Sequence, residues 1–406
     1  MGKVRKYVVM LCLAMLLVFF TAGANAADGA DALYQQGETL YDVQQYTQAL
    51  PLLQEAANLG HAEAQYLLGW MYCMGEGVAL DYGSAMAWWL RSSEQGHAQA
   101  QYEIGVMYEY GEGIPQDYTT AMAWYAKSAE KGNAAAINNI GYLYDYGLGV
   151  SADAAEAYVW YRRSADLGYA PGQYNTGLWY LYGYGGVKKD AAEAVKWLTL
   201  SAEQNDEWAQ YELGVCYEKG WGVQKDLTHA LRLYRQAEAA SHEDAAKDAA
   251  RLAKTIAEFP SPDAERLVRD ALGLSTGDVT LKKIKTIKVL DVSALALVDI
   301  GFLEKYTGLQ ELTINTPCSV SDVSALAKLS GLTKLSLEGQ PLSDISPLSK
   351  LTKLKELNLR NCQISDIAPL RKLTRLEALL LGGNTGITDF SVLKGLKKLD
   401  PARCDF

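Results

Sequence analysis

A period of 36 residues is the feature that most constrains this chain, because a fixed period indicates stacked structural units rather than one globular core. Five glycines are spaced by 36, 36, 36 and 37 residues, at Gly69, Gly105, Gly141, Gly177 and Gly214. A tyrosine follows each glycine after three residues, and an aspartate follows after 12 or 13. Each unit therefore predicts a helix, a G-x-G loop, an aspartate and a second helix.

The residue types at these positions suit a pair of packed helices. Ala64, Gly69 and Tyr72 fall on one side of the first helix, where small residues allow a neighbouring helix to approach and the ring fills the remaining space. The loop glycines allow the positive φ that ends a helix, and Asp81 stands at the N-cap of the second helix. Each pair buries its apolar sides only against its neighbours, so the units predict an α-solenoid.

The segments Gly60–Gly69 (GHAEAQYLLG) and Gly96–Gly105 (GHAQAQYEIG), followed by the loop, the aspartate and an aromatic pair, resemble the Sel-one-like repeat. This repeat is a relative of the tetratricopeptide family. The resemblance covers five full units, and residues 31–60 form a shorter N-terminal unit without a G-x-G loop. It implies a superhelix of helix pairs with a concave groove.

A second, shorter period begins after the first array. The frame L-x-x-L-x-L starts at Leu309, Leu332, Leu354 and Leu376, an equivalent frame starts at Ile287, and a truncated sixth unit starts at Leu399. Alternating leucines in repeated short segments predict parallel strands stacked into one sheet. The frame resembles the leucine-rich repeats of bacterial internalin-like proteins. The resemblance implies a helical cap at residues 263–283, whereas the segment 401–406 is a weak C-terminal cap.

Composition supports a division into two repeat domains. All nine Trp lie between Trp70 and Trp221, residues 27–258 carry 15 Lys/Arg and 31 Asp/Glu, and residues 259–406 carry 20 and 17. The net charges of −16 and +3 indicate different surfaces. We predict an α-helical repeat domain at 27–258, a helical cap or linker at 259–284 and a leucine-rich repeat domain of the α/β class at 285–406.

The first 26 residues have the pattern of a secretory signal peptide. Lys3, Arg5 and Lys6 precede a short apolar run, and Ala24-Asn25-Ala26 forms a small-residue cleavage site. The apolar run is shorter than a bilayer-spanning helix requires. We therefore expect export to the periplasm or the outside of the cell, with no membrane span after cleavage.

Several chemical functions are not expected from the sequence. The net charge of −10 disfavours nucleic acid, and the chain contains neither a C-x-x-C pair nor an H-E-x-x-H motif for a metal. His61 and His97 share a repeat position with Asn133 and Tyr169, so no common chemistry is preserved there. We expect no metal, no cofactor and no enzymatic activity.

The residues two before, two after and five after each repeated glycine share one side of the first helices. In a tetratricopeptide-like superhelix this side lines the concave groove, and its aromatic, Met and carboxylate residues suit a peptide or protein partner. The alternative is that these side chains pack between successive first helices. The predicted groove residues are Met71, Met74, Glu103, Met107, Tyr110, Asn139, Leu143, Tyr146, Asn175, Trp179 and Tyr182.

The strands of the leucine-rich array offer a second predicted partner surface. Its exposed positions are polar and mixed in sign, which suits hydrogen bonds and ion pairs with a protein but is also typical of a merely soluble face. Cys318 and Cys362 stand at or beside the inward ladder position and are predicted to be buried, inert thiols. The predicted binding residues of this surface are Glu311, Lys334, Glu338, Glu356, Asn358 and Arg360.

The sequence thus favours an exported, non-enzymatic protein interaction module that binds a protein or peptide partner through the concave surfaces of two solenoids. One alternative is a periplasmic scaffold or adaptor of envelope complexes. Another is a cell-wall-acting enzyme, for which no acid/base or nucleophile set occurs at motif spacing. The resemblance to internalin-like proteins favours a host protein as the partner, by analogy alone.

Overall fold

A computed structural model describes residues 29–405, which form two compact units divided between Asp206 and Glu207. The predicted signal peptide lies outside the described residues. Within the described residues, no helix is both long and apolar enough to cross a bilayer. The domain limits that we predicted from the change of repeat type, at 258/259 and 284/285, stay a prediction.

The first unit is an array of helix pairs that recur along the chain with the same packing. Each first helix from α3 onward packs against the second helix of its own repeat and against the second helix of the preceding repeat. The predicted α-solenoid is confirmed. The helices of this unit are α1 (residues 29–42), α2 (Tyr46–Asn58), α3 (Ala62–Met74), α4 (Tyr82–Glu94), α5 (Ala98–Tyr110), α6 (Tyr118–Glu130), α7 (Ala134–Tyr146), α8 (Ala154–Asp166), α9 (Ala170–Tyr182) and α10 (Ala191–Ala202).

The repeated aspartate and loop glycine set the helix limits as predicted. Asp117 Oδ1 accepts hydrogen bonds from the amides of Thr119 and Thr120, at 3.0 and 3.2 Å, and so caps α6. Gly111 ends α5 in the left-handed conformation, with φ of 73°. The same two devices recur in each full repeat, which explains why the helices are so uniform in length.

The glycine that defines the period permits a close approach between two helices. A Cβ atom on Gly105 would lie 2.6 Å from the ring of Tyr125, which is buried on α6. Gly69 would meet Trp89 in the same way, at 2.2 Å. The second residue of each aromatic pair therefore fills the space that the glycine leaves open.

The second unit contains the last repeat helices together with the leucine-rich array. Ile256 and Thr280 form an antiparallel bridge, and the Asp278 carboxylate accepts a hydrogen bond from the Leu227 amide at 2.7 Å. The Arg269 guanidinium also pairs with Asp226, at 3.2 Å. The predicted cap segment is thereby tied to the N-terminal end of the helix over Leu227–Ala239. The helices of this unit are α11 (Glu207–Lys219), α12 (Leu227–Ala239), α13 (Glu243–Leu252), α14 (Pro262–Leu272) and α15 (Leu281–Ile284).

Six parallel strands form one sheet in sequence order, as the leucine period predicts. Leu312, Leu335, Leu357 and Leu379 stand opposite one another in neighbouring strands and are buried. Short 3-10 helices return the chain on the other side, and successive ones pack together. The strands are β1 (Val289–Asp291), β2 (Glu311–Thr313), β3 (Lys334–Ser336), β4 (Glu356–Asn358), β5 (Ala378–Leu380) and β6 (Cys404–Asp405).

The C-terminal segment closes the sheet better than the sequence predicts. Pro401 opens a 3-10 turn that delays the last strand to residues 404–405, where it pairs with β5. The Asp405 carboxylate accepts hydrogen bonds from the amides of Leu381 and Gly382, at 2.8 and 3.2 Å. The segment is therefore a cap held by side-chain and main-chain bonds, which corrects the expectation of a weak one.

Candidate interaction surfaces

Burial divides the predicted groove residues into two groups. Met71, Met107, Leu143 and Trp179, which lie two residues after the repeated glycines, are at most 4% exposed. They fill the space between helices, as the alternative interpretation proposed. This corrects the prediction that these four side chains are accessible to a partner.

The last residues of α3, α5 and α7 remain accessible, whereas Tyr182 at the end of α9 is half-buried. Met74, Tyr110 and Tyr146 are 58%, 64% and 64% exposed. Neighbouring rings extend this row, because the ring centroids of Tyr142 and Tyr146 are 4.6 Å apart and those of Tyr182 and Tyr184 are 5.6 Å apart. We call this row of one Met and five Tyr side chains the ring stripe. Its residues are Met74, Tyr110, Tyr142, Tyr146, Tyr182 and Tyr184.

The predicted polar residues of the groove mainly serve the interior. Asn175 donates a hydrogen bond to Asn138 at 3.0 Å, and Asn139 donates to the Tyr125 hydroxyl at 3.2 Å. Both are half-buried. Their amides link neighbouring repeats, so each side chain would have to break this hydrogen bond in order to contact a partner protein.

Glu103 is buried, with 5% of its surface exposed, which corrects the prediction that it contacts a partner directly. Gln99 donates a hydrogen bond to Glu103 Oε1 at 2.7 Å, and the Asn133 side chain donates to the side-chain amide oxygen of Gln99, Oε1, at 2.9 Å. Loss of hydration raises the pKa of Glu103 to about 7, and the bond from Gln99 opposes that rise. The carboxyl therefore titrates near neutral pH inside the helical array.

A second kind of buried carboxyl recurs from repeat to repeat and was missed in the sequence. The hydroxyl of Tyr125 donates to Glu109, and that of Tyr234 donates to Glu218 at 3.0 Å. Burial raises the pKa of Glu109. Burial opposes ionisation of Glu218 too, but the hydrogen bond from Arg251 and that from Tyr234 outweigh it and lower the pKa. These carboxyls satisfy buried tyrosines and do not converge on a common cleft.

The other member of each aromatic pair carries a cation on the helix surface. Arg91 lies 4.5 Å above the ring of Trp88, and Lys127 lies 3.7 Å above that of Trp124. Arg163 and Trp160 repeat the arrangement in α8. These contacts cover one face of each ring, which makes the rings parts of the second helices rather than open docking positions.

On the strand side of the leucine-rich array, the predicted binding residues mostly contact each other. Lys334 and Glu356 form an ion pair at 3.4 Å, and Asn358 donates to Glu338 at 2.9 Å. Arg360 pairs with Asp405, and Arg403 pairs with Glu356. These side chains share one surface as predicted, but most of their charges are already compensated. Whether they bind a partner stays a prediction.

The residues that were set aside as non-catalytic have structural partners. The ring nitrogens of His61 and His97 accept the amides of Ala64 and Ala100, at 3.2 and 3.0 Å, and so cap α3 and α5. Cys362 is buried and its sulfur donates to the Leu337 carbonyl oxygen at 3.0 Å. Cys318 is buried as well, as predicted. Residues 29–405 contain no group of three or more His, Cys, Asp or Glu arranged to hold a metal ion.

Known repeat families match both arrays. The Sel1 repeat matches residues 24–61, 62–97, 98–133, 134–169, 170–206 and 209–242, which together exceed half of the chain. The family described as Leucine Rich repeats (2 copies) matches residues 330–372 and 352–395. Both resemblances are thereby confirmed. These repeats form protein–protein interaction scaffolds and are typically non-catalytic.

Solved structures of repeat proteins are similar to parts of the chain. A Sel1 repeat protein from Oxalobacter formigenes is 35% identical, with 57% of this chain and 96% of that one covered and a TM-score of 0.48. A protective antigen with an SLR fold, from uropathogenic Escherichia coli, is 28% identical, with 68% and 59% covered and a TM-score of 0.49. Internalin C2 from Listeria monocytogenes is 23% identical, with 36% and 85% covered and a TM-score of 0.26. No curated protein matches the chain significantly.

Proposed function

The chain belongs to the Sel1 repeat family, and from this premise we propose that it is an exported, non-enzymatic adaptor that binds an extended segment of a partner protein along the ring stripe. The observation that carries the proposal is the repeated exposure of one large side chain at the ends of α3, α5 and α7. Exposed aromatic rings in a row are costly in water, and they are enriched at the centres of protein interfaces.

The spacing of the ring stripe suits an extended chain. The successive first helices α7 and α9 contact each other, and packed helices lie about 8–10 Å apart, so these repeats offer a ring at roughly that interval. Because an extended peptide advances about 3.3 Å per residue, one ring can contact about every third residue. The net charge of −16 over residues 27–258 favours a partner segment that carries basic side chains.

Export is supported by the sequence pattern of residues 3–26, and it places the partner in the cell envelope or outside the cell. Absence of catalysis is supported by the roles of the carboxyls whose pKa is shifted. Glu103, Glu109 and Glu218 each have a hydrogen-bond partner within the packed helices. A turnover assay on peptidoglycan tests this part of the proposal, and hydrolysis by the purified protein would contradict it.

A photo-crosslinking amino acid at Tyr110, introduced into the full chain in its native cell, identifies the partner. The double variant Tyr110→Ala and Tyr146→Ala should then bind that partner at least tenfold more weakly, because two exposed anchor rings are lost. Calorimetry or surface plasmon resonance with the purified partner measures the effect. Helix content by circular dichroism should be unchanged, since both side chains are mostly exposed.

Val159 and Leu167 supply the matched control, because both are large, exposed apolar residues, on α8 and at its end. A crosslinker at Val159 should not capture the partner, and the double variant Val159→Ala and Leu167→Ala should bind as the unchanged protein does. Equal loss of affinity in both double variants would remove the ring stripe from consideration. An envelope protein as the crosslinked species favours the adaptor of envelope complexes, and a host protein favours the host-directed alternative.

A further inference from the structure

The strand side and the 3-10 side of the leucine-rich array differ in whether their charged side chains form ion pairs. On the strand side, opposite charges stand in register across repeats, as in Lys334 with Glu356 at 3.4 Å and Lys355 with Glu377 at 3.5 Å. Arg403 adds a second partner for Glu356. This side therefore neutralises itself.

The side formed by the 3-10 helices carries an excess of one sign in the last three repeats. All eight of its basic residues there are exposed, and within residues 29–405 none of them forms an ion pair. Arg371 donates only to the main-chain oxygen of Ala368. We call this set the basic side: Lys350, Lys353, Arg371, Lys372, Arg375, Lys394, Lys397 and Lys398.

The repeat register brings these charges next to each other. Glu356 stands opposite Ala378 in the sheet, so residues 22 apart in sequence lie one strand apart, at about 4.8 Å. Lys350 and Lys372 end two successive 3-10 helices that pack together, and Lys353 and Arg375 are also 22 residues apart. Like charges at the same position of neighbouring repeats repel each other, and all of these side chains are exposed rather than part of the apolar core.

The nearby carboxylates offset the basic side only in part, since the hydrogen bond from the Ser391 amide and the charge of Lys394 both lower the pKa of Asp389. Asp366 and Asp389 accept the amides of Ala368 and Ser391, at 2.8 and 2.7 Å. They therefore occupy the opposite, N-terminal ends of the 3-10 helices. The basic residues cluster at the C-terminal ends and in the turns that follow.

We propose that the basic side binds the surface of a bilayer that contains anionic phospholipids. Four to eight Lys or Arg residues on one surface are the number that gives measurable attraction to such a bilayer, at about fivefold in affinity per residue. Six of the eight are lysines, whose long stems and point charges suit mobile headgroups. A single aromatic ring, that of Phe390, lies among them in sequence and is 39% exposed. Single-stranded nucleic acids are instead bound by several rings on which successive bases stack. The basic side shares no residue with the ring stripe.

The test is co-sedimentation of the purified full chain with phosphatidylglycerol-containing vesicles and with vesicles of phosphatidylcholine alone. We expect binding to the first at low salt, release as salt is added, and none to the second. The combined substitution of Lys353, Lys372, Arg375 and Lys398 by Gln should weaken binding at least tenfold. A second variant that keeps a positive charge at these four positions, with Arg in place of each Lys and Lys in place of Arg375, should still bind the anionic vesicles.

The control variant removes the same charge from the helical array, by substituting Gln for Lys131, Lys188, Lys225 and Lys254, all of which are exposed. It should bind vesicles as the unchanged protein does. Equal weakening of both Gln variants, equal binding to neutral vesicles, or no binding to anionic vesicles at low salt would each overturn the proposal. Binding to a duplex or single-stranded nucleic acid but not to vesicles would overturn it too. Circular dichroism of every variant establishes that the fold is kept.

Discussion

The helical array and the leucine-rich array join their repeats by different physical means. In the leucine-rich array, main-chain hydrogen bonds and rows of buried leucine join each repeat to the next. In the helical array, side chains also connect the repeats, as where Asn139 donates a hydrogen bond to the Tyr125 hydroxyl of the repeat before it. Several side chains of this array are buried acids, among them Glu103, Glu109 and Glu218. The buried polar side chains of the leucine-rich repeats are the uncharged amides of Gln340 and Asn384, within the residues that the structure describes.

This difference shows where each array can tolerate variation. Main-chain bonds do not depend on side-chain identity, so the leucine-rich array can vary its surface freely while its leucines stay fixed. A buried acid needs its partner, so the helical array must change residues in pairs. The first array to respond to pH should therefore be the helical one, and the first to respond to loss of apolar volume should be the leucine-rich one.

The largest effect should come from Leu357→Ala, at the centre of the leucine row of the sheet. The side chain is 1% exposed, so its removal leaves a cavity and should lower the free energy of unfolding by about 2–5 kcal/mol. Urea denaturation, with hydrogen exchange of residues 330–395 as the local readout, measures it. The loss should be the same at acid and neutral pH, because the leucines paired with Leu357 on the neighbouring strands do not titrate. A pH-dependent loss would break the contrast between the arrays.

Glu103→Gln should have the next largest effect, and its size should depend on pH. The folded-state pKa of about 7 exceeds the ordinary value of 4.5, so the folded protein binds the proton more tightly than the unfolded chain. Stability due to this group is therefore complete below the ordinary pKa and is lost as pH rises to about 7, by roughly 3 kcal/mol. Gln abolishes that loss, so the variant should match the unchanged protein near pH 4 and exceed it in stability near pH 8.

Denaturation curves across this pH range measure the difference, and Glu94→Gln is the control. Glu94 is an exposed residue at the end of α4, so its substitution should leave the pH profile unchanged. If Glu103→Gln instead destabilises the protein near neutral pH, the ionised carboxylate of Glu103 stabilises the folded state. The contrast between the arrays would then rest on the tyrosine-bonded acids alone.

The architecture could be predicted from the sequence because it depends on residues that repeat. The Gly105 spacing, the Asp117 cap and the leucine frame each recur at a fixed interval, so local chemistry and packing agree. Accessibility within the groove could not be read so directly, since Met107 and Tyr110 are three residues apart on one helix and only the second is exposed. The sequence did contain a signal for this difference in exposure. The position two residues after the repeated glycine is apolar in every repeat, whereas the position five residues after it is Lys219 in the last repeat.

The acid–tyrosine pairs also left a signal that simple periodicity does not detect. Where the second helix carries Tyr125 or Tyr234, the first helix carries Glu109 or Glu218. Where it carries Trp89 instead, Cys73 replaces the acid, and the indole donates to a main-chain oxygen. Comparing repeats in pairs of positions, rather than one position at a time, would have predicted the contacts. The delayed strand at residues 404–405 has no such signal, since it contains no leucine and follows a proline.

The smallest effect should come from Lys334→Gln on the strand side of the leucine-rich array. Lys334 and Glu356 are partly exposed, and Glu356 keeps its bond to Arg403, so the loss should be at most about 1 kcal/mol and should shrink as salt is added. Lys328→Gln is the matched control, because Lys328 is an exposed residue at the end of the 3-10 helix before β3 and has no ion-pair partner among the described residues. A loss well above that limit would mean that the ion pairs hold the repeats together. The self-neutralised strand side would then be a structural element, and partner binding would have to be sought on the ring stripe and the basic side.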